Sequence, residues 1–138
     1  MTPRDLLIQH EGLRLKPYRD TVGKWTIGVG RNLDDVGISK AEAMMLLDND
    51  IARVCSELDG ALSWWRTMTP DRQSVFINMC FNLGLAGFLG FKSMLELCRH
   101  HHYDAAAVAG LDSKWAQQVG DRAVQLMSML KHGITTEI

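Results

Sequence analysis

The chain contains 138 residues, of which 46% are hydrophobic and 22% charged, and its formal net charge is -1 at pH 7. A chain of this length buries about two-thirds of its unfolded surface, so one globular core is expected. No block of Lys and Arg runs through the sequence, which argues against a nucleic-acid-binding protein. No stretch approaches the roughly 18 apolar residues of a membrane-spanning helix.

The amino-terminal segment differs from a secretory signal. Charged and polar residues interrupt its apolar positions, namely Arg4, Asp5, His10 and Glu11. A signal peptide would instead carry an uninterrupted apolar centre. We therefore expect synthesis as a soluble cytoplasmic protein, with any export supplied by another factor.

Helix signals open the chain. Thr2 can cap a helix, Pro3 suits the first helical position, and Gly12 supplies a stop. Glu11 is therefore predicted at or next to the last position of this helix. Beyond it, apolar and polar residues alternate, which predicts a small β-hairpin over residues 18–29 with a short third strand.

A longer helical pattern follows the hairpin. The run Ser39-Lys40-Ala41-Glu42 is a capping box, and apolar residues then recur at helical spacing until Asp59-Gly60. Residues 75–83 are apolar nearly all round, which predicts a buried central helix that the next glycines break: Gly84, Gly87 and Gly90. Further helices are predicted at residues 92–99, 103–109, 113–118 and 121–131. The whole pattern predicts an α+β fold that is mainly helical.

Glu11 and Asp20 form a candidate pair of catalytic carboxyl groups. At a helix C-terminus, Glu11 would meet the negative end of the helix dipole, which favours the protonated form that a proton donor needs. Asp20, predicted at the polar turn of the hairpin, would stay ionised. Such a pair suits glycoside hydrolysis, although two merely solvated carboxyl groups would look the same. Thr26 is predicted on the glycine-bearing face of its strand, with an accessible hydroxyl that can hold a water.

The amino-terminal part of the sequence closely resembles the active-site segment of the T-even-type phage lysozymes, glycoside hydrolase family 24. The matching residues there are Glu11-Gly12-Leu13-Arg14-Leu15-Lys16, Tyr18, Asp20-Thr21, Gly23 and Thr26-Ile27-Gly28-Val29-Gly30. The match continues through Ile77-Asn78-Met79, Phe81, Gly84, Gly90-Phe91, Ser113-Lys114-Trp115 and Arg122-Ala123. It implies a single lysozyme-like domain over residues 1–138. We expect a small lobe at about 12–38, a connecting helix at about 39–59 and a helical lobe at about 60–138 that includes the N-terminal helix, with a cleft between lobes.

The resemblance implies an enzyme that hydrolyses the β-1,4 bond between N-acetylmuramic acid and N-acetylglucosamine in peptidoglycan, with inversion. Glu11 matches the general acid, Asp20 the second carboxylate and Thr26 the water-positioning hydroxyl. Arg122 matches the arginine that orients the acid. The other positions that match the family's sugar-binding cleft are Asn32, Phe81, Gly30 and Asn82, followed by Ser93 and Lys114.

The sequence departs from the family pattern in three ways. Arg31 stands where the family has a histidine, so the family's structural His-Asp pair is not expected there. The segment between the hairpin and the long helix, residues 33–38, is abbreviated, which shrinks the small lobe. The net charge is -1, whereas these lysozymes are often basic, so attraction to the anionic wall is expected to be weaker.

The resemblance also implies partners and a place of action. Peptidoglycan glycan strands are the expected substrate, and no cofactor, metal, nucleic acid or stable membrane insertion is expected. The protein is predicted to be a monomer that waits in the cytoplasm. It would reach the periplasmic cell wall, for phage-type lysis, through a membrane lesion made by a holin-type partner.

Two other functions are compatible with the same fold. A lytic transglycosylase needs only the acid, so Asp20 and Thr26 would be superfluous in it. A non-catalytic glycan-binding virion domain would need none of these three residues. The joint presence of Glu11, Asp20 and Thr26 therefore argues against it. A transglycosylase would form anhydro products from peptidoglycan, and a binding domain would release none.

Other conspicuous residues have ordinary structural explanations. The run His100-His101-His102 cannot converge on one metal ion, because successive helical residues point about 100° apart. Three widely spaced cysteines predict neither disulfides nor a zinc site, and we expect them reduced and buried: Cys55, Cys80 and Cys98. Trp64 and Trp65 either stack on sugar or straddle core and surface, whereas Trp115 is expected in the core.

Overall fold

The computed structural model describes residues 1–134, which form seven α-helices, one short 3-10 helix and three strands. The strands are β1 (Arg14–Arg19), β2 (Trp25–Gly28) and β3 (Arg31–Asn32). The helices are α1 (Pro3–Glu11), α2 (Lys40–Ala61), α3 (Pro70–Leu89), α4 (Lys92–Arg99), α5 (Tyr103–Leu111), α6 (Lys114–Val119) and α7 (Asp121–His132), and the 3-10 helix spans Trp65–Thr67. The predicted α+β, mainly helical class is confirmed.

Contacts within the chain define two compact units, Met1–Leu47 and Asp48–Ile138. The boundary between them falls inside α2. The first unit holds α1, the sheet and the start of α2, and the second holds the rest. The predicted grouping of α1 with a helical lobe, and the predicted cleft, stay predictions.

The first helix begins and ends where the sequence predicts. Thr2 Oγ1 accepts a hydrogen bond from the Asp5 backbone N–H at 3.1 Å, and Asp5 Oδ2 accepts one from the Thr2 N–H at 3.1 Å, so both halves of a capping box are present. At the other end, the Gly12 N–H donates to the Ile8 carbonyl at 2.9 Å. Glu11 is the last helical residue, as predicted.

The sheet is antiparallel with the order β1-β2-β3, so β2 is its central strand. The predicted third strand is confirmed, but the hairpin begins at Arg14 rather than at Tyr18. A register irregularity separates Arg14 from Tyr18, and Pro17 lies within it. Because a bulge and a proline break the alternation of apolar and polar residues, the sequence pattern misses the start of β1.

The long helix α2 opens with the predicted capping box. The Ser39 N–H donates to Glu42 Oε1 at 2.9 Å, and the Glu42 N–H donates to Ser39 Oγ at 3.1 Å. The helix continues past the predicted stop at Asp59-Gly60 and ends at Ala61. One glycine inside a helix costs only about 1 kcal/mol, which the packing of the buried Leu58 beside it can offset.

Arg31, which stands where the resemblance predicts a histidine, has a structural partner. Its Nη1 donates to Glu42 Oε1 at 2.9 Å and to the Gly37 carbonyl at 3.1 Å, which ties β3 to the first turn of α2. The Arg31 guanidinium, followed by the Ser39 backbone N–H, lowers the pKa of Glu42 from 4.5 to about 2. An ion pair therefore holds the end of the sheet to the long helix.

The Arg31–Glu42 pair makes stability depend on pH. Because the pKa of Glu42 is lower in the folded chain, its stabilising contribution is complete above pH 4.5 and disappears as the pH falls toward about 2. We expect wild type to melt at a higher temperature than Glu42→Gln at pH 6, and the difference to vanish near pH 2. Thermal melts of both proteins between these values test this. A difference that did not change with pH would contradict the proposed ion pair.

The second unit has its core around α3. The apolar surface of this helix is largely buried, with Val75, Phe76 and Met79 all fully enclosed. Gly84 interrupts the helix with φ 76° and ψ 162°, a conformation that glycine adopts without strain. Gly87, by contrast, lies inside the continuing helix, so the prediction that it breaks the helix is wrong. Its side of the helix is exposed, and packing of the neighbouring Phe88 maintains the helical turn.

The cysteines and tryptophans differ in how deeply they are buried. Cys80 and Cys98 are buried, and burial raises the pKa of the Cys98 thiol to about 12, but Cys55 is only partly buried. Trp65 is buried and donates from Nε1 to Asp59 at 2.8 Å, which removes it from sugar stacking. Trp115 lies in the core, as predicted.

Residues 1–134 contain neither a candidate metal-binding cluster nor a single helix of membrane-spanning length and composition. No group of three or more His, Cys, Asp or Glu side chains in this part of the chain could hold a metal ion. No single helix there has both the length and the apolar composition of a membrane span. The bent pair Pro70–Leu89 and Lys92–Arg99 reaches those values only when the two helices are taken together.

Candidate active site

Glu11 lies beside a glycine and accepts no hydrogen bond from residues 1–134. Its side chain is exposed, and nothing in residues 1–134 is hydrogen-bonded to its carboxyl group. Gly30 lies directly beside it: a Cβ atom added there would stand 2.9 Å from Glu11 Oε2 and 3.2 Å from Cδ. The missing side chain of Gly30 therefore makes the space that the carboxyl group occupies.

Gly30 and Gly28 form a matched pair for testing this contact. Both have positive φ, 67° and 69°, so alanine strains the backbone at either position by about 1 kcal/mol. Of the two, only Gly30 would bring an added Cβ against a side chain, because no atom of residues 1–134 outside the adjoining chain lies within 4 Å of a Cβ added at Gly28. We expect Gly30→Ala to reduce peptidoglycan turnover about tenfold relative to Gly28→Ala, since small displacements of a catalytic group are costly. Equal activities at equal melting temperature would show that Gly30 does not position Glu11.

Asp20 is held at the turn between β1 and β2. Its Oδ1 accepts hydrogen bonds from the backbone N–H groups of Val22 at 3.0 Å and Lys24 at 2.8 Å. The turn is closed by two further backbone bonds, from Asp20 N–H to the Lys24 carbonyl and from Gly23 N–H to the Asp20 carbonyl. Oδ1 is thus committed to the turn, and within residues 1–134 no hydrogen bond engages Oδ2.

Thr26 lies in the middle of the sheet. It pairs with Tyr18 of β1 on one side and with Asn32 of β3 on the other. Only 3% of Thr26 is exposed, so the residue is more buried than its predicted accessible position implies. Its Oγ1 donates to the Lys24 carbonyl at 3.0 Å.

The backbone of Lys24 connects the two predicted water-binding residues. Its N–H donates to Asp20, and its carbonyl accepts from the Thr26 hydroxyl. Sequence reasoning missed this residue, because a contribution made through main-chain atoms leaves no mark on side-chain identity. The spacing of four and two residues around a turn is the only available signal.

Asn32 shares the sheet face of Thr26, since directly paired residues project to the same side. Its amide is already engaged with Asp35: Nδ2 donates to Asp35 Oδ2 at 3.0 Å, and Oδ1 accepts from the Asp35 N–H at 2.9 Å. Asn32 therefore stabilises the following turn. Only its second acceptor lone pair and second amide hydrogen are left for a ligand.

The second unit carries the remaining predicted site residues. Phe81 is 46% exposed, unlike the buried apolar residues around it on α3. Asn82 accepts a hydrogen bond from Trp115 Nε1 at 3.0 Å, which links α3 to α6. Ser93 and Lys114 line an open cavity of about 420 Å³ together with other residues: Gly87, Gly90, Phe91, Lys92, Met94, Ala109, Asp112, Ser113 and Trp115.

Arg122 is exposed near the start of α7 and is held by Asn78. Both Nε and Nη2 of Arg122 donate to Asn78 Oδ1, at 3.1 and 2.8 Å. The sequence comparison matched Asn78 to the family without giving it a role. Its signal was present nonetheless, because it is the only amide in the apolar run from Val75 to Phe81.

A family profile described as Phage lysozyme matches residues 8–131. This span includes Glu11, Asp20, Thr26 and Arg122. It leaves unmatched only the first residues of α1 and the end of the chain. The match therefore covers both compact units.

Individual relatives share between 26% and 30% sequence identity with this chain. The pre-baseplate central spike protein Gp5 of Enterobacteria phage T4 is 28% identical over an alignment 161 positions long, which covers 96% of this chain but only 28% of the spike protein. The protein named "Probable T4-type lysozyme 1" of Dictyostelium discoideum is 26% identical over an alignment 159 positions long, which covers 94% of each chain. The SAR-endolysin of Escherichia phage Mu is 30% identical over 128 residues, 91% of this chain and 72% of that protein.

Proposed function

The chain belongs to the phage lysozyme family, and from this premise we propose that it hydrolyses the β-1,4 bond between N-acetylmuramic acid and N-acetylglucosamine, with inversion. As a family member it is a glycoside hydrolase that acts on peptidoglycan. The main support for cleavage of this bond is the hairpin region, where Glu11 lies beside Gly30 and where Asp20 and Thr26 are both hydrogen-bonded to Lys24.

Glu11 is the proposed proton donor. It transfers its proton to the glycosidic oxygen, which leaves as a hydroxyl of N-acetylglucosamine when its bond to the anomeric carbon of muramic acid breaks. Its position beside Gly30 supports this role, because any side chain at position 30 would occupy the space that the carboxyl group fills.

Asp20 and Thr26 are proposed to place the attacking water. Asp20 takes a proton from the water as the water oxygen bonds to the anomeric carbon. Oδ2 is the oxygen available for this, because Oδ1 is bound to the turn. The Thr26 hydroxyl donates its hydrogen bond to the Lys24 carbonyl, so its oxygen can only accept one from the water. Two acceptors would thus hold both hydrogens and turn a lone pair toward the sugar.

The other site residues are assigned by resemblance and local geometry. Arg122 is proposed to orient the acid. Phe81 and Asn32 are proposed to contact sugar, Phe81 through its exposed ring and Asn32 from the face of the sheet that carries Thr26. Gly30 is better assigned to positioning Glu11 than to binding sugar, because of its contact with the carboxyl group.

We propose further that the protein works as a monomer and reaches the cell wall after a holin-type partner opens the membrane. Expression of the chain alone in bacteria is then expected to leave cells intact until the inner membrane is permeabilised with chloroform. Turbidity of the culture measures lysis before and after this treatment. Lysis of cells whose inner membrane is still intact would contradict the need for a partner.

The products released from purified peptidoglycan test the proposed reaction. Wild type is expected to release fragments with reducing muramic acid ends, which mass spectrometry distinguishes from other ends. Anhydro-muramic acid ends would identify a transglycosylase, and release of no fragments would favour a glycan-binding domain. Glu11→Gln, run in parallel, shows whether the fragments come from this site rather than from a contaminating hydrolase.

A further inference from the structure

Arg122 is held in place by a neutral side-chain amide, in contrast to three arginines that are held by carboxylates. Arg31, Arg53 and Arg66 each pair with at least one carboxylate at 3.3 Å or less. Arg122, in the part of the chain that the structure describes, makes no ion pair, and its hydrogen bonds go to the neutral amide of Asn78. Asn78 lies 44 positions away in sequence, on α3.

A neutral acceptor has a consequence that a carboxylate would not have. Two N–H groups that converge on one amide oxygen fix the plane and direction of the guanidinium group. The amide carries no charge, so it does not neutralise the cation. The remaining N–H groups of Arg122, and its full positive charge, stay available for an anionic group.

We propose that Asn78 is a positioning residue for the reaction: it orients Arg122 while leaving its charge uncompensated for the carboxyl group that Arg122 serves. This inference rests on the proposed function, in which Arg122 orients the acid. Asn78 touches neither substrate nor reacting atoms in this account. Its effect on turnover passes entirely through Arg122.

The side chain at position 78 can be changed in two opposite ways. Asn78→Ala removes the acceptor and frees the guanidinium group, and we expect kcat to fall about tenfold with KM within about twofold of wild type. Asn78→Asp keeps the shape and strengthens the bond to Arg122 but neutralises its charge. If the contact served only to pack α3 on α7, Asp would preserve activity. We expect instead that Asp lowers kcat at least as much as Ala.

A double-mutant cycle shows whether Asn78 acts through Arg122. Arg122→Gln and the double variant Asn78→Ala/Arg122→Gln are expected to have the same kcat, because an unoriented glutamine leaves nothing for Asn78 to hold. Ser74→Ala, one turn earlier on the exposed side of α3, is the control and is expected to match wild type. Melting temperatures of all variants identify losses that come from unfolding.

The measured rates distinguish the proposed hydrolase function, the role of Arg122 and the role of Asn78. Wild type without any cleavage would overturn the proposed function and this inference with it. Cleavage by wild type and by Arg122→Gln at equal rates would overturn the role of Arg122 while leaving the hydrolase assignment in place. A loss in Arg122→Gln without a loss in Asn78→Ala and Asn78→Asp, or additive losses in the double variant, would overturn only the assignment of Asn78.

Discussion

Glu11→Gln is expected to reduce peptidoglycan turnover about a thousandfold, the loss typical of removing a general acid. Glutamine has the same shape as the acid, so it should fit the space beside Gly30 without displacing the hairpin. The side chain is exposed and ends α1, so its amide is not left buried without partners. The protein should therefore fold and melt like wild type while it lacks the proton that the leaving oxygen needs.

Release of soluble fragments from purified peptidoglycan measures this loss, and circular dichroism monitors the fold. Glu96→Gln is a suitable control, because it makes the same chemical change at an exposed position on α4, where Glu96 pairs with His100 at 2.8 Å. Surface pairs of this kind contribute little to stability. If Glu11→Gln cleaved as fast as the control, Glu11 could not be the proton donor.

Replacement of Asp20 is expected to have the second-largest effect, a loss of about a hundredfold or more when its carboxylate is removed. Two variants separate its chemical role from its structural one. Asp20→Asn keeps a carbonyl oxygen that can accept from Val22 and Lys24, so the turn should survive. Asp20→Ala removes those bonds as well and should lower both activity and melting temperature.

Comparison of the two Asp20 variants decides which role matters. If both lose activity while only Ala loses stability, the carboxylate itself is required for the reaction. If Asn retains nearly wild-type turnover and Ala does not, Asp20 serves only to hold the turn, and a different group must place the water. The same peptidoglycan assay and thermal melts supply both measurements.

The part of the site nearest the amino terminus could be predicted well because its signals are local. The capping box of Thr2 and Asp5 and the stop at Gly12 involve neighbours in sequence, so they place Glu11 at the end of α1 without knowledge of the fold. The same holds for the capping box that opens α2. Here the backbone groups of a helix end require partners only a few residues away.

Errors arose where a residue's environment depends on more distant parts of the chain. Alternation along β2 placed Thr26 on a face of the sheet but could not reveal that the residue is almost fully buried there. The spacing of apolar residues did not show that Cys55 is only partly buried. The helix signals also placed stops at Gly60 and Gly87, whereas the observed helices continue through both glycines. A glycine inside a helix lowers the stability of the helix by only about 1 kcal/mol relative to alanine, so the packing of neighbouring residues decides whether the helix continues.

Sequence by itself determined the fold class, the family and the identities of Glu11, Asp20 and Thr26 as candidates, because each rests on local pattern or on residue matches. Tertiary structure alone decided what surrounds them: Gly30 beside the acid and Asn78 beneath Arg122. These contacts join residues 19 and 44 positions apart, and such distances close only when the strands and helices pack. Burial and hydrogen-bond geometry are properties of that packing, so they cannot be inferred from residues that are neighbours in sequence.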